Sequence, residues 1–275
     1  MKMAFPAAGT LNTRGALGGS RLRTVIYLRD VLRELVIRDI KIRYKRSMLG
    51  IGWSLLNPLL QLSVYYSVFR WILVVKVANF AVFLFIGILV WNWFQSSVFF
   101  ASAAITDNSM LIRQPGFPVA ILPVVTVTSN LVNLVLAFPI LLFALLINGF
   151  SLTLAVLVLP LVLATQFMLT LTIAYLVAAL QVPYRDTQYL LGIFLLLGLY
   201  LCPVFYSSEV LPAHVIPFYR LNPLARIIES YRDILMYGRV PSLSAMALTI
   251  AALVPLLMLT YTYFRRASYR FIEET

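Results

Sequence analysis

Residues 152–181 read LTLAVLVLPLVLATQFMLTLTIAYLVAALQ and carry no charged side chain. The stretch exceeds the ~20 apolar residues that a helix needs to cross the ~30 Å hydrocarbon core of a membrane. Hydrocarbon offers no hydrogen bonds to the backbone, whereas a helix satisfies its own. We therefore predict a membrane-spanning helix here, in an all-α fold.

The same pattern continues outward along the chain in both directions. The turn Asn148-Gly149 joins the first stretch to a second one without charge, residues 118–147. Four more apolar stretches complete a polytopic membrane protein with six transmembrane helices, and they cover residues 48–75, 80–105, 189–206 and 243–264. Asn57-Pro58 lies within one of them and predicts a kink, because proline removes a hydrogen bond of the helix.

The composition agrees with a membrane protein. Hydrophobic residues make up 61% of the chain and its mean hydropathy is +0.91, whereas soluble domains contain ~45–50% apolar residues. The net charge of +12 is explained by the excess of Lys and Arg that membrane proteins keep in their cytoplasmic loops. Anionic lipid headgroups are the expected partner of this charge, and we expect no nucleic acid to bind.

The distribution of Lys and Arg predicts the orientation. Sixteen of these residues lie in the N-terminal segment up to residue 48, in the loops 106–117 and 182–188 and in the C-terminal tail, and the other side of the membrane has six. The positive-inside rule therefore places both termini in the cytoplasm. We divide the chain into a flexible cytoplasmic tail, an amphipathic helix, the six-helix membrane domain and a cytoplasmic C-terminal tail, which cover residues 1–24, 25–46, 47–265 and 266–275.

Residues 25–46 are predicted to form an amphipathic helix on the membrane surface. Apolar residues recur with helical spacing, and Glu34 with Arg38 and Asp39 with Arg43 are opposite charges four positions apart. Two interpretations remain open: the helix only anchors the chain to the membrane, or it also contacts a cytoplasmic partner. The charged residues available for such a contact are Arg33, Arg38, Asp39, Lys41 and Arg43.

The outer connection 207–242 is long and charged. Asn222 is a good N-cap, Pro223 suits the first helical position and Gly238 suits the helix end, so a helix is predicted between them. Its charged side chains lie three or four positions apart and can pair; they are Arg226, Glu229, Arg232 and Asp233. The segment either rests at the outer interface or re-enters a protein-lined cavity, since charges in contact with lipid are costly.

The chain carries no recognisable catalytic or nucleotide-binding motif. It has no phosphate-binding G-x-x-x-x-G-K-[ST] loop, a single histidine, His214, and a single cysteine, Cys202. Its acidic residues lie in tails, loops and interfacial helices, which argues against an intramembrane enzyme and against coupling to protons or sodium. No cofactor or metal site is expected in this chain. A membrane pathway without its own energy source indicates a separate ATPase subunit.

The surface that contacts this ATPase must be cytoplasmic, and the loop 106–117 is the best candidate. Thr106, Asp107 or Asn108 can cap a short helix there, and Pro115 would end it. A plain connecting loop is the alternative. The candidate contact residues are Asp107, Asn108, Met110, Leu111, Ile112, Arg113, Gln114 and Pro115.

Three segments carry a family resemblance. They read RDIKIRYKRSMLGIGWSLLNPLL at 38–60, DNSMLIRQPGFPVAILPV at 107–124 and LNPLARIIESYRDILMYGRVP at 221–241. In this order they resemble the ABC-transporter type-2 permeases that export bacterial surface polysaccharides, such as O-antigen, capsule, teichoic acid or mycobacterial galactan. With the span count, the resemblance extends over nearly the whole chain, and no one segment identifies the polymer.

The resemblance implies a half-transporter. Two copies of the permease would pair with two separate ATP-binding cassette subunits, which bind ATP and Mg. The amphipathic helix and the loop 107–117 would contact those subunits, and the outer segment would form re-entrant helices that help close the pathway. The residues of that external gate would be Arg220, Asn222, Pro223, Arg226, Glu229, Arg232 and Asp233. The substrate would be a polysaccharide on a polyprenyl-diphosphate lipid, exported across the bacterial cytoplasmic (inner) membrane.

Aromatic side chains are candidates for the lining of such a pathway, because their faces stack on sugar rings while Tyr hydroxyls form hydrogen bonds. They are Tyr65, Tyr66, Trp91, Trp93, Phe94, Phe99, Tyr200, Phe205 and Tyr206. Aromatic residues also collect at membrane interfaces for other reasons, so that alternative stays open. Arg43, Lys45 and Arg46 could similarly attract either a diphosphate or lipid headgroups.

Two other functions remain open on the sequence. One is an ABC permease for a small drug or lipid, which a narrow pathway with few aromatic residues would favour. The other is a membrane-bound enzyme that acts on glycans, which the lack of clustered carboxylates and histidines disfavours.

Overall fold

The computed structural model describes residues 17–72, 77–208, 211–212 and 214–268, and the regular structure within them is helical throughout. The α-helices are α1 (Leu17–Tyr44), α2 (Trp53–Ser67), α3 (Phe80–Ala103), α4 (Ser109–Ile112), α5 (Ile121–Ile147), α6 (Leu159–Gln181), α7 (Thr187–Leu201), α8 (Ile216–Leu221), α9 (Pro223–Leu235) and α10 (Leu243–Ala267). The 3-10 turns Gly50–Gly52, Thr106–Asn108 and Leu154–Val158 precede α2, α4 and α6, and the π-helical turn Val68–Ile72 continues α2.

Four helices are long and apolar enough to cross a membrane. They are α3, α5, α6 and α10, and the span of α6 includes the 3-10 turn that precedes it. This confirms four of the six predicted spans and the class of a polytopic, all-helical membrane protein. The other two predicted spans are helical but shorter, because α2 and α7 have 15 residues each. Pro58 lies inside α2, which continues past it to Ser67.

The helix α3 lies at the centre of the bundle. It contacts α2, α5, α6, α7 and α9, and its side chains from Phe80 to Phe94 are buried almost without a break. A helix that is buried on nearly all sides needs apolar residues on all sides, which explains why its sequence has no polar face. The other three long helices bury a smaller share of their residues, as expected for helices with a face toward lipid.

One end of the bundle gathers elements that are distant in sequence, and we call it the α4 end. A buried cluster there joins Leu35 of α1, Ile112 of α4, Ile121 of α5, Val182 just after α6, and Phe264 of α10. The amphipathic helix, the 106–117 segment and the chain after α6 therefore lie on the same side of the bundle. This is the relative placement that the predicted topology requires.

The opposite end, which we call the α9 end, contains the outer segment. The helix α9 packs against α3 and α6, and the Thr153 hydroxyl donates to the carbonyl of Gly238 at 3.0 Å. Gly238 has a φ of 60°, which glycine adopts without strain. A Cβ at this position would lie 2.7 Å from Cγ2 of Thr153. The close approach of the two segments therefore depends on a glycine.

The helix α1 differs from its prediction in two respects. It begins at Leu17, within the predicted tail, and ends at Tyr44. Neither predicted pair forms in the described chain: Arg38 bonds the adjacent Asp39 at 3.0 Å, and Arg43 bonds Asn130 of α5. Because α1 packs on the bundle, polar acceptors of the bundle compete with partners on its own surface. Residues 1–16 and 269–275 of the predicted tails lie outside the described residues.

Candidate functional site

A cavity of about 500 Å³ lies between α2, α3 and α5, beside the end of α1. We call it the amide groove, because side-chain amides supply much of its polar lining. They are Asn57, Gln61, Asn92, Gln95, Asn130 and Asn133. Aromatic rings lie among them, namely Tyr44, Trp53, Trp93 and Phe100.

A smaller cavity of about 140 Å³ continues the amide groove along α2 and α3 toward α7. Gln61, Asn92 and Gln95 line both cavities. The smaller cavity adds the rings of Tyr65 and Trp91 and three leucines of α7. The two cavities are therefore neighbours that share three carboxamides, and aromatic side chains line both of them.

Hydrogen bonds connect the amides where the two cavities meet. Asn92 Nδ2 on α3 donates to Gln61 Oε1 on α2 at 2.8 Å, and Gln61 Nε2 donates to Asn57 Oδ1 at 3.4 Å. The Trp91 indole donates to Gln95 Oε1 at 2.6 Å. A carboxamide both donates and accepts hydrogen bonds. A ligand with hydroxyl groups can therefore replace the hydrogen bonds that these side chains make to one another.

The end of α1 borders the amide groove. Arg43 Nη1 donates to Asn130 Oδ1 at 2.8 Å, and its guanidinium lies 5.1 Å from the ring centroid of Phe100. The Tyr44 hydroxyl donates to Asn133 Oδ1 at 2.9 Å. Among the described residues that line the two cavities, Arg43 is the sole charged one. The arrangement suits a polar ligand with many hydrogen-bonding groups.

The predicted aromatic residues are divided between the core and the surface. Trp91, Trp93, Phe94 and Phe205 are buried and Tyr200 is exposed. The remaining four, Tyr65, Tyr66, Phe99 and Tyr206, are half-buried. Of the nine, Trp93 lines the amide groove, and Tyr65 and Trp91 line the smaller cavity.

Some of these aromatic residues meet where α2 approaches the end of α7. The ring centroid of Phe205 lies 5.0 Å from that of Tyr65 and 5.7 Å from that of Tyr200. The Tyr206 hydroxyl donates to the carbonyl of Tyr200 at 3.2 Å. This cluster is connected to the two cavities through Tyr65, which lines the smaller one.

The 106–117 segment contains the predicted short helix, α4, with one side against the bundle and one side free. Ile112 is 3% exposed and Met110 is 86% exposed. Leu111 is half-buried against the cluster at the α4 end. The exposed side chains of the segment include Asp107, Met110, Arg113, Gln114 and Pro115. A partner protein could reach all of them.

The predicted capping of α4 is wrong. Asn108 occupies the N-cap position, but its side chain makes no capping bond. Its Nδ2 donates to the carbonyl of Ala104 at 2.9 Å, and its Oδ1 accepts from Arg38 Nη2 at 2.7 Å. Asn108 therefore connects the 106–117 segment to α1. Partial burial raises the pKa of the Asp107 carboxyl above its usual value.

The charged residues predicted on α1 differ in exposure. Arg33, Lys41 and Arg43 are exposed, whereas Arg38 and Asp39 are half-buried. The half-buried pair is the one next to the 106–117 segment, because Arg38 bonds both Asp39 and Asn108. Of the exposed residues, Arg43 already bonds Asn130, whereas Arg33 and Lys41 are available to contact a partner or lipid headgroups.

The outer helix α9 begins as predicted. Asn222 Oδ1 accepts from the backbone N–H of Leu224 at 3.0 Å, and Pro223 occupies the first turn. The predicted ion pairs among Arg226, Glu229, Arg232 and Asp233 do not form in the described segment. Glu229 instead accepts from the Tyr219 hydroxyl at 2.7 Å, and Arg226 and Asp233 are half-buried. The side chain of Arg220 lies outside the described residues.

Arg232 turns into the bundle. Its Nη2 donates to the carbonyls of Phe83 at 3.2 Å and Val204 at 3.1 Å, and its guanidinium lies 3.3 Å from the ring centroid of Phe83. Burial lowers the pKa of Arg232 to about 9, so the side chain stays charged at neutral pH. The carbonyl of Val204 needs a donor because α7 has already ended at Leu201, whereas the carbonyl of Phe83 lies within α3.

The six amides were not among the residues predicted to form a site. Asn57, Gln61, Asn92 and Gln95 all lie within predicted spans, where polar side chains are costly and usually functional. The presence of these polar side chains within apolar spans can be read from the sequence alone. Their meeting in one cavity cannot, because it depends on how α2, α3 and α5 pack against one another.

Similarity to known proteins extends over most of the chain. Residues 31–236 match the ABC-2 type transporter family. The O-antigen export system permease protein RfbA of Myxococcus xanthus is 32% identical over 254 residues, which is 92% of this chain and 98% of that protein. A protein of the same name from Klebsiella pneumoniae is 30% identical over 248 residues, which is 90% of this chain and 95% of that protein.

Proposed function

The chain belongs to the ABC-2 type transporter family, and on that premise we propose that it is the permease of a bacterial polysaccharide exporter. As a member of this family it is a transporter permease and not an enzyme. Its substrate is a polyprenyl-diphosphate-linked polysaccharide of the O-antigen, galactan or teichoic acid type. The observation that carries the proposal is the similarity to O-antigen export permeases over 90% or more of this chain.

The permease crosses the bacterial cytoplasmic membrane six times, with both termini in the cytoplasm. Four spans are the long helices, and α2 and α7 supply the other two. The helix α2 and its π-helical turn reach from Trp53 to Ile72, which is about 30 Å of helix at 1.5 Å per residue. The α4 end faces the cytoplasm, because the positively charged segments lie there.

The driving force comes from ATP that a partner binds with Mg. Two copies of the permease assemble with two ATP-binding cassette subunits, which contact the exposed residues of the 106–117 segment and of α1. The described residues offer support for this contact: Met110 and Arg113 point away from the bundle, while Arg38 and Asn108 connect the two elements. No cofactor is bound by the permease itself.

The physical requirement on the pathway is to keep sugar hydroxyls hydrogen-bonded. Each buried hydroxyl without a partner costs about 1–3 kcal/mol, so a sugar chain cannot pass through hydrocarbon. The amides and rings of the amide groove offer the hydrogen bonds and stacking faces that sugars need. This lining also disfavours a permease for a small apolar drug or lipid, which would need few amides. The residues of the outer segment, with α9 as its main helix, close the pathway externally.

Deleting the gene tests this function. We expect cell-surface polysaccharide to disappear and the lipid-linked polysaccharide to accumulate on the cytoplasmic side of the inner membrane. Fractionated membranes probed with a glycan-modifying enzyme, before and after permeabilisation, report the side. Normal surface polysaccharide in the deletion strain, or accumulation on the outer side, would contradict the proposal. Complementation with the intact gene is the control.

A further inference from the structure

We propose that Gln61, Asn92 and Gln95 form a constriction that accepts neutral sugar chains and discriminates against polyanions. The inference rests on the proposed export function and specifies which substrates it accepts. It adds a selective position inside the chain, formed by uncharged carboxamides. We call these three residues the amide constriction.

The position of the amide constriction follows from the cavities. Its three residues are the ones that line both the amide groove and, with Tyr65 and Trp91, the smaller cavity. The bond from Asn92 to Gln61, at 2.8 Å, crosses from α3 to α2 at this junction. A chain that passes from one cavity to the other must therefore replace this bond.

The depth of the amide constriction gives it a role in selectivity. Asn92 lies near the middle of α3 (Phe80–Ala103), which places it close to the middle of a membrane that α3 spans. Polar side chains at this depth normally face a polar cavity or pair with each other. A sugar hydroxyl can donate to the amide oxygen and accept from the amide nitrogen. When sugar hydroxyls replace the bond between Asn92 and Gln61, the number of hydrogen bonds is therefore preserved.

A buried glutamine elsewhere in the bundle shows what a purely structural amide looks like. Gln166 donates to the carbonyl of Val90 at 2.9 Å and accepts from the Tyr231 hydroxyl at 2.8 Å. It is 0% exposed and lines neither cavity. The amides of the constriction differ because they line cavity space and because their described hydrogen bonds join them to other side chains and not to the backbone.

The charge of the lining favours a neutral substrate. Neither cavity has a carboxylate among the described residues, and Arg43, the charged residue on the wall, already bonds Asn130. A phosphodiester or uronate chain would bring anions to the amide constriction, where the described lining of the smaller cavity holds no cation to balance them, and this is costly at membrane depth. Galactan and uncharged O-antigens carry no such anions along the polymer, whereas teichoic acids do.

Binding of two matched oligosaccharides tests the inference. The permease is purified with its ATPase subunit in lipid nanodiscs, and calorimetry measures binding of a neutral galactose hexamer and of a galacturonate hexamer. We expect the neutral hexamer to bind at least tenfold more tightly. Equal or tighter binding of the galacturonate hexamer, or no binding of the neutral one, would overturn the inference.

Variants then locate the effect. Leucine at both Gln61 and Asn92 fills each position with an apolar side chain but removes the hydrogen bonds, and we expect about tenfold weaker binding of the neutral hexamer. The swap Gln61→Asn with Asn92→Gln retains the carboxamides and should retain binding. The control Gln166→Leu should lower the unfolding temperature without changing the affinity of the folded complex. Unchanged affinity in the double leucine variant would refute the role of the constriction.

Failure of this inference can be told apart from failure of the export function. If the gene deletion leaves surface polysaccharide unchanged, the export function is wrong. If the deletion traps lipid-linked polysaccharide inside but the hexamers bind without preference, export stands and selection at the amide constriction is wrong.

Discussion

Arg232 lies on the buried face of α9 with no carboxylate bonded to it in the described structure. It is 3% exposed and is held by the Phe83 ring and by the carbonyls of Phe83 and Val204. A charge at this depth persists only when several groups replace its hydration. The contacts join three elements, α3, α9 and the chain after α7, so Arg232 supports the position of the outer helix.

Replacing Arg232 by methionine tests that support. The variant leaves the carbonyl of Val204 without this donor, and an unsatisfied buried carbonyl costs about 1–3 kcal/mol. We expect a clear fall in the unfolding temperature of the detergent-solubilised permease. Arg239→Met is the matched control, because Arg239 is exposed. Equal unfolding temperatures for the Arg232 variant and the unmodified protein would contradict this role.

Charge reversal at Arg113 tests the contact with the ATPase. Arg113 is exposed next to α4, and Arg113→Glu should place a repulsive charge in the contact. We expect ATP hydrolysis by the assembled complex to lose its coupling to export, so that surface polysaccharide falls several-fold. Arg185→Glu changes the charge of another exposed arginine at the α4 end and should have little effect. Normal export with normal hydrolysis in the Arg113 variant would defeat the coupling assignment.

At the scale of single residues, capping and pairing rules predicted a side chain's hydrogen bonds correctly only where its partner is near in sequence. Asn222 was correctly predicted as a cap, since the two backbone N–H groups that donate to its Oδ1 lie within three positions. Asn108 fits the same rule but instead bonds Arg38, seventy positions away. Arg232 was expected to pair on its own helix and bonds α3. Only tertiary packing decides between these partners.

At the scale of elements, hydrophobic patterning predicted the long helices well. The spans predicted at 80–105 and 118–147 appear as Phe80–Ala103 and Ile121–Ile147. The prediction was less accurate for α2 and α7: α2 begins at Trp53, inside the predicted span 48–75, and α7 ends before its predicted span does. For α7, the helix ends at Leu201 and the chain turns at Cys202, within the predicted span 189–206. Apolar composition alone does not show where a helix stops.

The connection between α1 and the 106–117 segment is an element-scale prediction. Arg38 bonds Asn108 at 2.7 Å, so both elements should move together when the ATPase moves. Arg38→Met removes the bond, and we expect more ATP hydrolysed per polysaccharide exported. Arg33→Met is the control, because Arg33 is exposed on the same helix. An unchanged ratio in the Arg38 variant would show that the bond plays no part in coupling.

At the scale of the whole molecule, the permease should depend entirely on its partner for energy. We expect no ATP hydrolysis by the purified permease alone and robust hydrolysis after its ATPase subunit is added. A Walker-type lysine variant of that subunit controls for contaminating ATPases. Specific hydrolysis by the permease alone would contradict the assignment of the chain as a permease without a motor.

The most direct test asks which side of the membrane the 106–117 segment faces and what it touches. The native Cys202 is buried and can be replaced by alanine, after which Met110→Cys introduces a thiol at a site that is 86% exposed. A short thiol cross-linker is applied to membranes that contain the complex, and an impermeant maleimide is applied to intact spheroplasts. We predict a cross-link to the ATPase subunit and no labelling from outside. Labelling from outside, with no cross-link to a nucleotide-hydrolysing subunit, would contradict the account.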